Sequence, residues 1–157
     1  MKFLKTLKAF LRIGFKNYAD KMTEINAAMS WNYHNALQGT YPNNTINYTK
    51  VLVAHGLLPP VLNPTACIIA GTILFTGDDN SGETGTSGLD KTLLVVYNPD
   101  KGQAVTFNGL AERAAGSQSI TVPDSFSGDL VHCYIAFIAT DGVEISDSVY
   151  AGAVIVS

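Results

Sequence analysis

The run LVHCYIAFIA, Leu130 to Ala139, decides how the rest of the chain is read. Successive side chains of a strand point to opposite faces. One face here carries Val131, Cys133, Ile135 and Phe137; the other carries Leu130, His132, Tyr134, Ala136 and Ile138. Both are largely apolar. The run KTLLVVY, Lys91 to Tyr97, behaves alike, with Leu93, Val95 and Tyr97 on one side and Leu94 and Val96 on the other. An antiparallel strand with one wet face alternates apolar and polar residues, so these two strands are expected to be covered on both sides.

The opening residues, MKFLKTLKAFLRIGFK, offer such a cover. Phe3, Leu4, Leu7, Phe10 and Leu11 recur at the spacing of one helix face, which predicts a single amphipathic helix over 1–16 with Gly14 weakening its end. A second helix is expected from Thr23 to Leu37. Thr23 suits the N-cap, Glu24 suits the first turn, and Gly39 sits where a left-handed residue follows a helix. Ile25, Ala28, Met29 and Ala36 form its apolar stripe. TYPNNT then breaks the pattern.

Beyond that break the period is two. Ile46 to Ala54 reads as a strand, and GLLPPVLNP as a linker, because Pro59, Pro60 and Pro64 cannot donate to a ladder. From Cys67 to Val156 come the strand-like runs CIIAGTILFT, KTLLVVYNP, QAVTFN, SQSITVP, LVHCYIAFIA and a last stretch over 143–156. Turn signals separate them at 98–102, at 127–129 and at Asp141-Gly142, a two-residue hairpin signal. The expected fold is α+β: an N-terminal two-helix segment packed on a C-terminal antiparallel β-sandwich of immunoglobulin/fibronectin III-like type. Residues 1–45 form the helical segment, 46–66 the strand and Pro-rich linker, and 67–157 the sandwich. The layers run helices, sheet, sheet, with Phe3, Leu7 and Phe10 over Tyr134 and Val96.

The segments from Ile13 to Pro60, then NPTA, DNSG, LLVVYNPDKG and the long run from Ser119 to Gly152, resemble a domain family of unknown function common in Bacteroidota. The resemblance covers nearly the whole chain and implies a fold more than an activity. Members of that family usually carry a further basic segment before the first helix, so this chain is expected to be a short or truncated relative. The β half is also similar to fibronectin type III modules. Val122-Pro123, Gly128 and the strand with Tyr134 match the corner before their sixth strand. The match departs at GTILFTGDD, which lacks the tryptophan often placed in the second strand; Trp31 lies in the helical part.

At 157 residues the chain suits one domain, and 46 % hydrophobic against 15 % charged residues excludes general disorder. Charge is segregated. Residues 1–50 hold seven Lys/Arg and two acids, and residues 51–157 hold three and eleven, for net charges of +5 and −8. Opposite charges are expected to favour docking of the two halves modestly. No apolar run is long enough to cross a membrane as a helix. Lys5, Lys8 and Arg12 interrupt the apolar stretch that a signal peptide needs, so the opening reads as mature structure. Cys67 and Cys133 lack metal or redox spacing and are expected as buried free thiols, with a single bridge as the alternative.

No catalytic motif surrounds His34, His55 or His132, and the chain reads as non-enzymatic. The loop from Gly77 to Asp90 is acidic and Gly-rich. Asp78, Asp79, Asn80 and Glu83 are its candidate Ca²⁺ ligands, although their spacing fails the EF-hand pattern and a solvated loop explains the composition as well. Tyr33, Tyr41 and Tyr48 suit a carbohydrate platform or packing between helices and sheet. Asn43 and Asn47 open N-glycosylation patterns that read as chance. Lys2, Lys5, Lys8, Arg12 and Lys16 are the candidate interaction residues. Their helix covers the sheet, mediates assembly, or meets an anionic membrane or nucleic acid. The function this supports is a structural or protein-interaction module whose partner is a protein, another copy or a different chain. A glycan or Ca²⁺ binder, or a nucleic-acid or membrane adaptor, is the alternative. No cofactor or small-molecule substrate is expected.

Overall fold

Cys133 and Tyr134 are chain neighbours buried in different cores. The computed structural model that shows this describes residues 2–18, 22–40, 43–69, 71–78, 80 and 88–156, with side chains except at 2 and 108–111. Helices α1 (Lys2–Lys5), α2 (Lys8–Gly14) and α3 (Glu24–Asn35) lead into a small hairpin, β1 (Leu37–Gln38) with β2 (Thr45–Ile46). The longer strands are β3 (Leu62–Ile69), β4 (Thr72–Asp78), β5 (Lys91–Asn98), β6 (Gln103–Glu112), β7 (Ser117–Ile120), β8 (Leu130–Ile138) and β9 (Val149–Ile155). They form an antiparallel four-stranded sheet, ordered β6-β5-β8-β9, and an antiparallel three-stranded sheet, ordered β3-β4-β7.

The central pair, β5 and β8, is covered on both faces. Register sets Val95 opposite Tyr134 and Val96 opposite Cys133, so each cross-strand pair shares a face. Leu93, Val95, Tyr97, Tyr134 and Ala136 pack with Phe3, Leu4, Leu7, Phe10 and Leu11 of the helical layer. Leu94, Val96, Val131, Cys133, Ile135 and Phe137 pack with Ile73, Phe75 and Ile120 of the three-stranded sheet. Full burial of each large side chain stabilises by roughly 1.5–3 kcal/mol, so both interfaces are substantial. The Phe3 ring meets Tyr97 edge-on at 4.3 Å and lies 6.2 Å from Tyr134. The three-layer expectation holds with one correction: Val96 lies on the opposite face, because it pairs with Cys133.

Local chemistry moved several boundaries. The first helix is broken at Thr6 and Leu7. The Thr6 hydroxyl and amide both bond the Phe3 carbonyl, at 2.8 and 3.3 Å, and Leu7 N–H turns to Leu4 at 3.1 Å. A hydroxyl that competes for the carbonyl loosens the helical ladder. The second helix begins as expected, with Thr23 Oγ1 accepting from Asn26 N–H at 3.2 Å. It ends at Asn35, and Leu37-Gln38 enters the hairpin whose turn contains Gly39 at φ +84°. CIIAGTILFT is a hairpin rather than one strand, because Gly71 turns left-handed between β3 and β4. Pro64, expected in a linker, lies within β3. It is tolerated at an edge strand where the register shifts between Leu62 and Thr65. At Asp141-Gly142 the bond from Ala139 N–H to Glu144 closes a longer loop than a two-residue hairpin.

The largest departure is Ile46 to Ala54. Beyond Ile46 the segment makes no ladder; it forms a 3₁₀ turn, Tyr48–Lys50, and then a buried strap, Val51 to Ala54. Its backbone groups find partners outside any sheet. Asn32 supplies both edges of a strand at once, accepting from Leu52 N–H and donating to Leu52 C=O, each at 2.8 Å. Val53 N–H donates to Ser148 Oγ at 2.9 Å, and Ser148 N–H returns a bond to Ala54. Gly14 and Gly56 permit the strap's close approach. A Cβ at Gly14 would strike the Val53 carbonyl, and one at Gly56 would strike that of Ile145.

Cys133 is buried, and burial pushes its thiol up to about 12, whereas Cys67 is exposed on β3. Both are free, as expected; the exposure of Cys67 corrects the expectation that both are buried. No helix among the described residues is long and apolar enough to cross a membrane.

Candidate functional site

Lys5, Lys8, Arg12 and Lys16 are exposed on the outer side of the helical layer, while the apolar stripe between them faces inward. The side chain of Lys2 lies outside the described atoms. Among the described residues, no ion pair involves these four cations. Lys16 Nζ donates to the Gly142 carbonyl, and Asn17 donates to Val143 at 2.8 Å, which pins this turn to the β8–β9 loop.

Beginning at Phe15, the chain neighbour of Lys16, is a groove of about 220 Å³ lined by Phe15, Tyr18, Met22, Ala27, Ser30, Trp31 and His55. It forms where the turn after α2, the first two turns of α3 and His55, just past the strap, converge. Four aromatic rings meet there. Tyr18 stacks on His55 at 4.1 Å, and the Phe15 and Trp31 rings lie 6.0 and 6.1 Å from it. His55 Nδ1 is 2.6 Å from Asp147 Oδ1, which also accepts from Gly56 N–H at 3.0 Å. The carboxylate thereby fixes the ring from behind. Ser30 lines the same groove, and no described hydrogen bond joins its hydroxyl to His55.

A second aromatic cluster is structural in its contacts. Tyr48 stacks on His132 at 4.0 Å, Tyr134 donates its hydroxyl to the Tyr48 carbonyl at 2.7 Å, and His132 Nδ1 is 2.8 Å from the Tyr150 hydroxyl. Burial raises the phenol pKa of Tyr48, Tyr97, Tyr134 and Tyr150 and lowers the imidazole pKa of His132. Tyr33 is separate from this cluster; its ring contact is with His34. Tyr41 lies outside the described residues. Among the described residues, Tyr33 and Tyr48 share no ring contact, and Tyr48 belongs to the packing between helices and sheet.

Asn80 and Asp90 of the acidic segment are both held by Arg113. Arg113, almost wholly buried, bonds Asp90 Oδ2 at 2.8 Å, Asn80 Oδ1 at 2.9 Å and the Pro59 carbonyl at 2.9 Å. Its guanidinium also lies over the Phe137 ring at 4.0 Å. Asn80, a candidate Ca²⁺ ligand, thus faces a cation and also donates to Pro60 at 3.0 Å. Asp78 accepts from Asn63 at 2.8 Å. Asp79 and Glu83 lie outside the described residues. Among the described residues, no three His, Cys, Asp or Glu side chains gather as a metal site.

The family profile of DUF6266, described as a family of unknown function, matches residues 1–152. The chain belongs to that family. No curated protein matches it. For this DUF6266 member, three features carry information that sequence reading missed. Asn32 is a polar residue in the row of Ala28 and Ala36, a signal that could have found it. Trp31 and Met22 carried no local mark, and neither did the pairing of His55 with Asp147, 92 positions apart.

Proposed function

We propose that the chain is a non-enzymatic protein-interaction module, its β half a sandwich of immunoglobulin/fibronectin III type and its contact surface the helical layer. The strand order supports the fold type. Compared with an immunoglobulin constant arrangement, the first, second and fifth long strands share one sheet, and the third, sixth and seventh share the other. The fourth, β6, has crossed to the larger sheet. Tyr134 departs from the corner role that such modules give a tyrosine, since its hydroxyl reaches the helical layer.

The observation that carries the functional reading is the groove at His55. Phe3, Leu4, Leu7, Phe10 and Leu11 of α1 and α2 are buried against the sheet, whereas at the groove Tyr18 and Met22 keep about a third to a half of their surface in water. An aromatic-lined concavity on a fixed scaffold suits an anchor residue of a protein partner. Selection of a displayed random-peptide library against the immobilised full chain tests this. Enriched peptides should lose binding to Tyr18→Ala. An unproductive library, together with turnover of a hydrolase substrate that His55→Ala abolishes, would overturn the reading in favour of an enzyme.

A further inference from the structure

We propose that the groove takes one apolar side chain, aromatic or long aliphatic, presented by an acidic polypeptide segment. This deepens the interaction reading above and rests on it.

Size comes first. At about 220 Å³ the groove is smaller than the ~300–1,000 Å³ that encloses a drug-sized molecule, so it suits a single ring-sized group. Chemistry comes next. Phe15, Tyr18, Met22, Ala27 and Trp31 offer rings, a thioether and a methyl, and the polar side chains are Ser30 and His55. Phe15 is buried, His55 is held by Asp147 and Tyr18 is stacked, so little side-chain freedom is lost on filling the site.

Charge then selects the partner's flanks. Arg12 and Lys16 bracket Phe15 in the chain and are exposed, and Lys5 and Lys8 extend the row along α1 and α2. Residues 1–50 contain only two acids against seven cations. Carboxylates on either side of the anchor would be drawn to this row. The two other anionic partners fit less well. A surface-lying membrane helix must insert its apolar face, and here Phe3, Leu4, Leu7, Phe10 and Leu11 are buried in the fold. A nucleic acid, held through its phosphates, would use the cations and leave the apolar groove unfilled.

Trp31, the sole tryptophan, lines the groove and reports its occupancy directly. The full chain is titrated with a peptide of acidic residues around one Phe. Variants of that peptide carry Ala for Phe or Lys for the acids, and duplex DNA and phosphatidylserine vesicles are run in parallel. The expected result is a saturable shift in Trp31 emission with the acidic Phe peptide, at least ten-fold weaker with either altered peptide. Met22→Glu, which changes an exposed side chain, should abolish it, and Arg12→Glu should weaken it about ten-fold. Tyr33→Ala, exposed elsewhere on α3, should leave it unchanged. Binding indifferent to the Phe anchor, binding by DNA or vesicles alone, or no peptide binding overturns the inference. Failure here with library binders that still lose binding to Tyr18→Ala leaves the module reading standing; failure of both experiments removes both.

Discussion

The Tyr134 hydroxyl donates to the Tyr48 carbonyl at 2.7 Å, fastening the middle of the central strand β8 to the turn that leads into the strap. Tyr48 C=O keeps a second bond from Val51 N–H, so the loss of the phenol does not orphan it. Tyr134→Phe should therefore cost about 0.5–1.5 kcal/mol in urea denaturation. Phe3→Ala, which empties the ring seat beside Tyr97, should cost about 3–5 kcal/mol.

Asn32 completes the backbone of Leu52, and a small apolar residue cannot. Asn32→Ala strips partners from two buried backbone groups at roughly 1–3 kcal/mol each. Asn32→Asp retains the acceptor for Leu52 N–H but sets a carboxylate against the Leu52 carbonyl. Equilibrium unfolding should find both variants destabilised, whereas exposed Asn35→Ala should change little.

Arg113 and Asp90 form an ion pair with almost no solvent contact. Arg113→Met should cost about 3–5 kcal/mol, because Asp90 loses its guanidinium in a dry site. Adding Asp90→Asn should recover part of that loss. A double-mutant cycle measures the recovery, and strictly additive effects would contradict the coupling.

Burial holds His132 below its ordinary imidazole pKa of 6.5. The folded chain thus binds fewer protons than the unfolded chain between the two values. Stability from this site is present above pH 6.5 and is lost as pH falls through the folded value. His132→Phe, which keeps a ring against Tyr48, should flatten that decline in thermal melts recorded between pH 7.5 and pH 4.5.

Gly56 has no room for a side chain. Gly56→Ala would drive a methyl into the Ile145 carbonyl, so a lowered melting temperature and loss of the Leu58 N–H bond to Ile145 are expected. Amide exchange at Leu58 reads the second effect.

The doubly covered sheet was legible because alternation on Leu130–Ala139 and Lys91–Tyr97 leaves no polar face, and the stripe beginning at Phe3 matched the missing cover. The strap was not. VLVA reads as a strand by composition, and what distinguishes it is that its partners are the side chains of Asn32 and Ser148, 20 and 95 positions away. The break at Thr6 turns on one hydroxyl, which periodicity does not register. The groove was invisible for a related reason: Phe15, Trp31 and His55 belong to three separate segments, each ordinary when taken alone.

The three-layer order also has a consequence for synthesis. Residues 3–17 leave the ribosome before β8, yet the loop that Asn17 grips at Val143 is 126 positions downstream. Until β8 is translated, Phe3, Leu7 and Phe10 lack the surface they shield in the finished molecule. A nascent chain halted before residue 130 would carry a greasy, cationic segment around Phe3 to Phe10, a natural target for a chaperone.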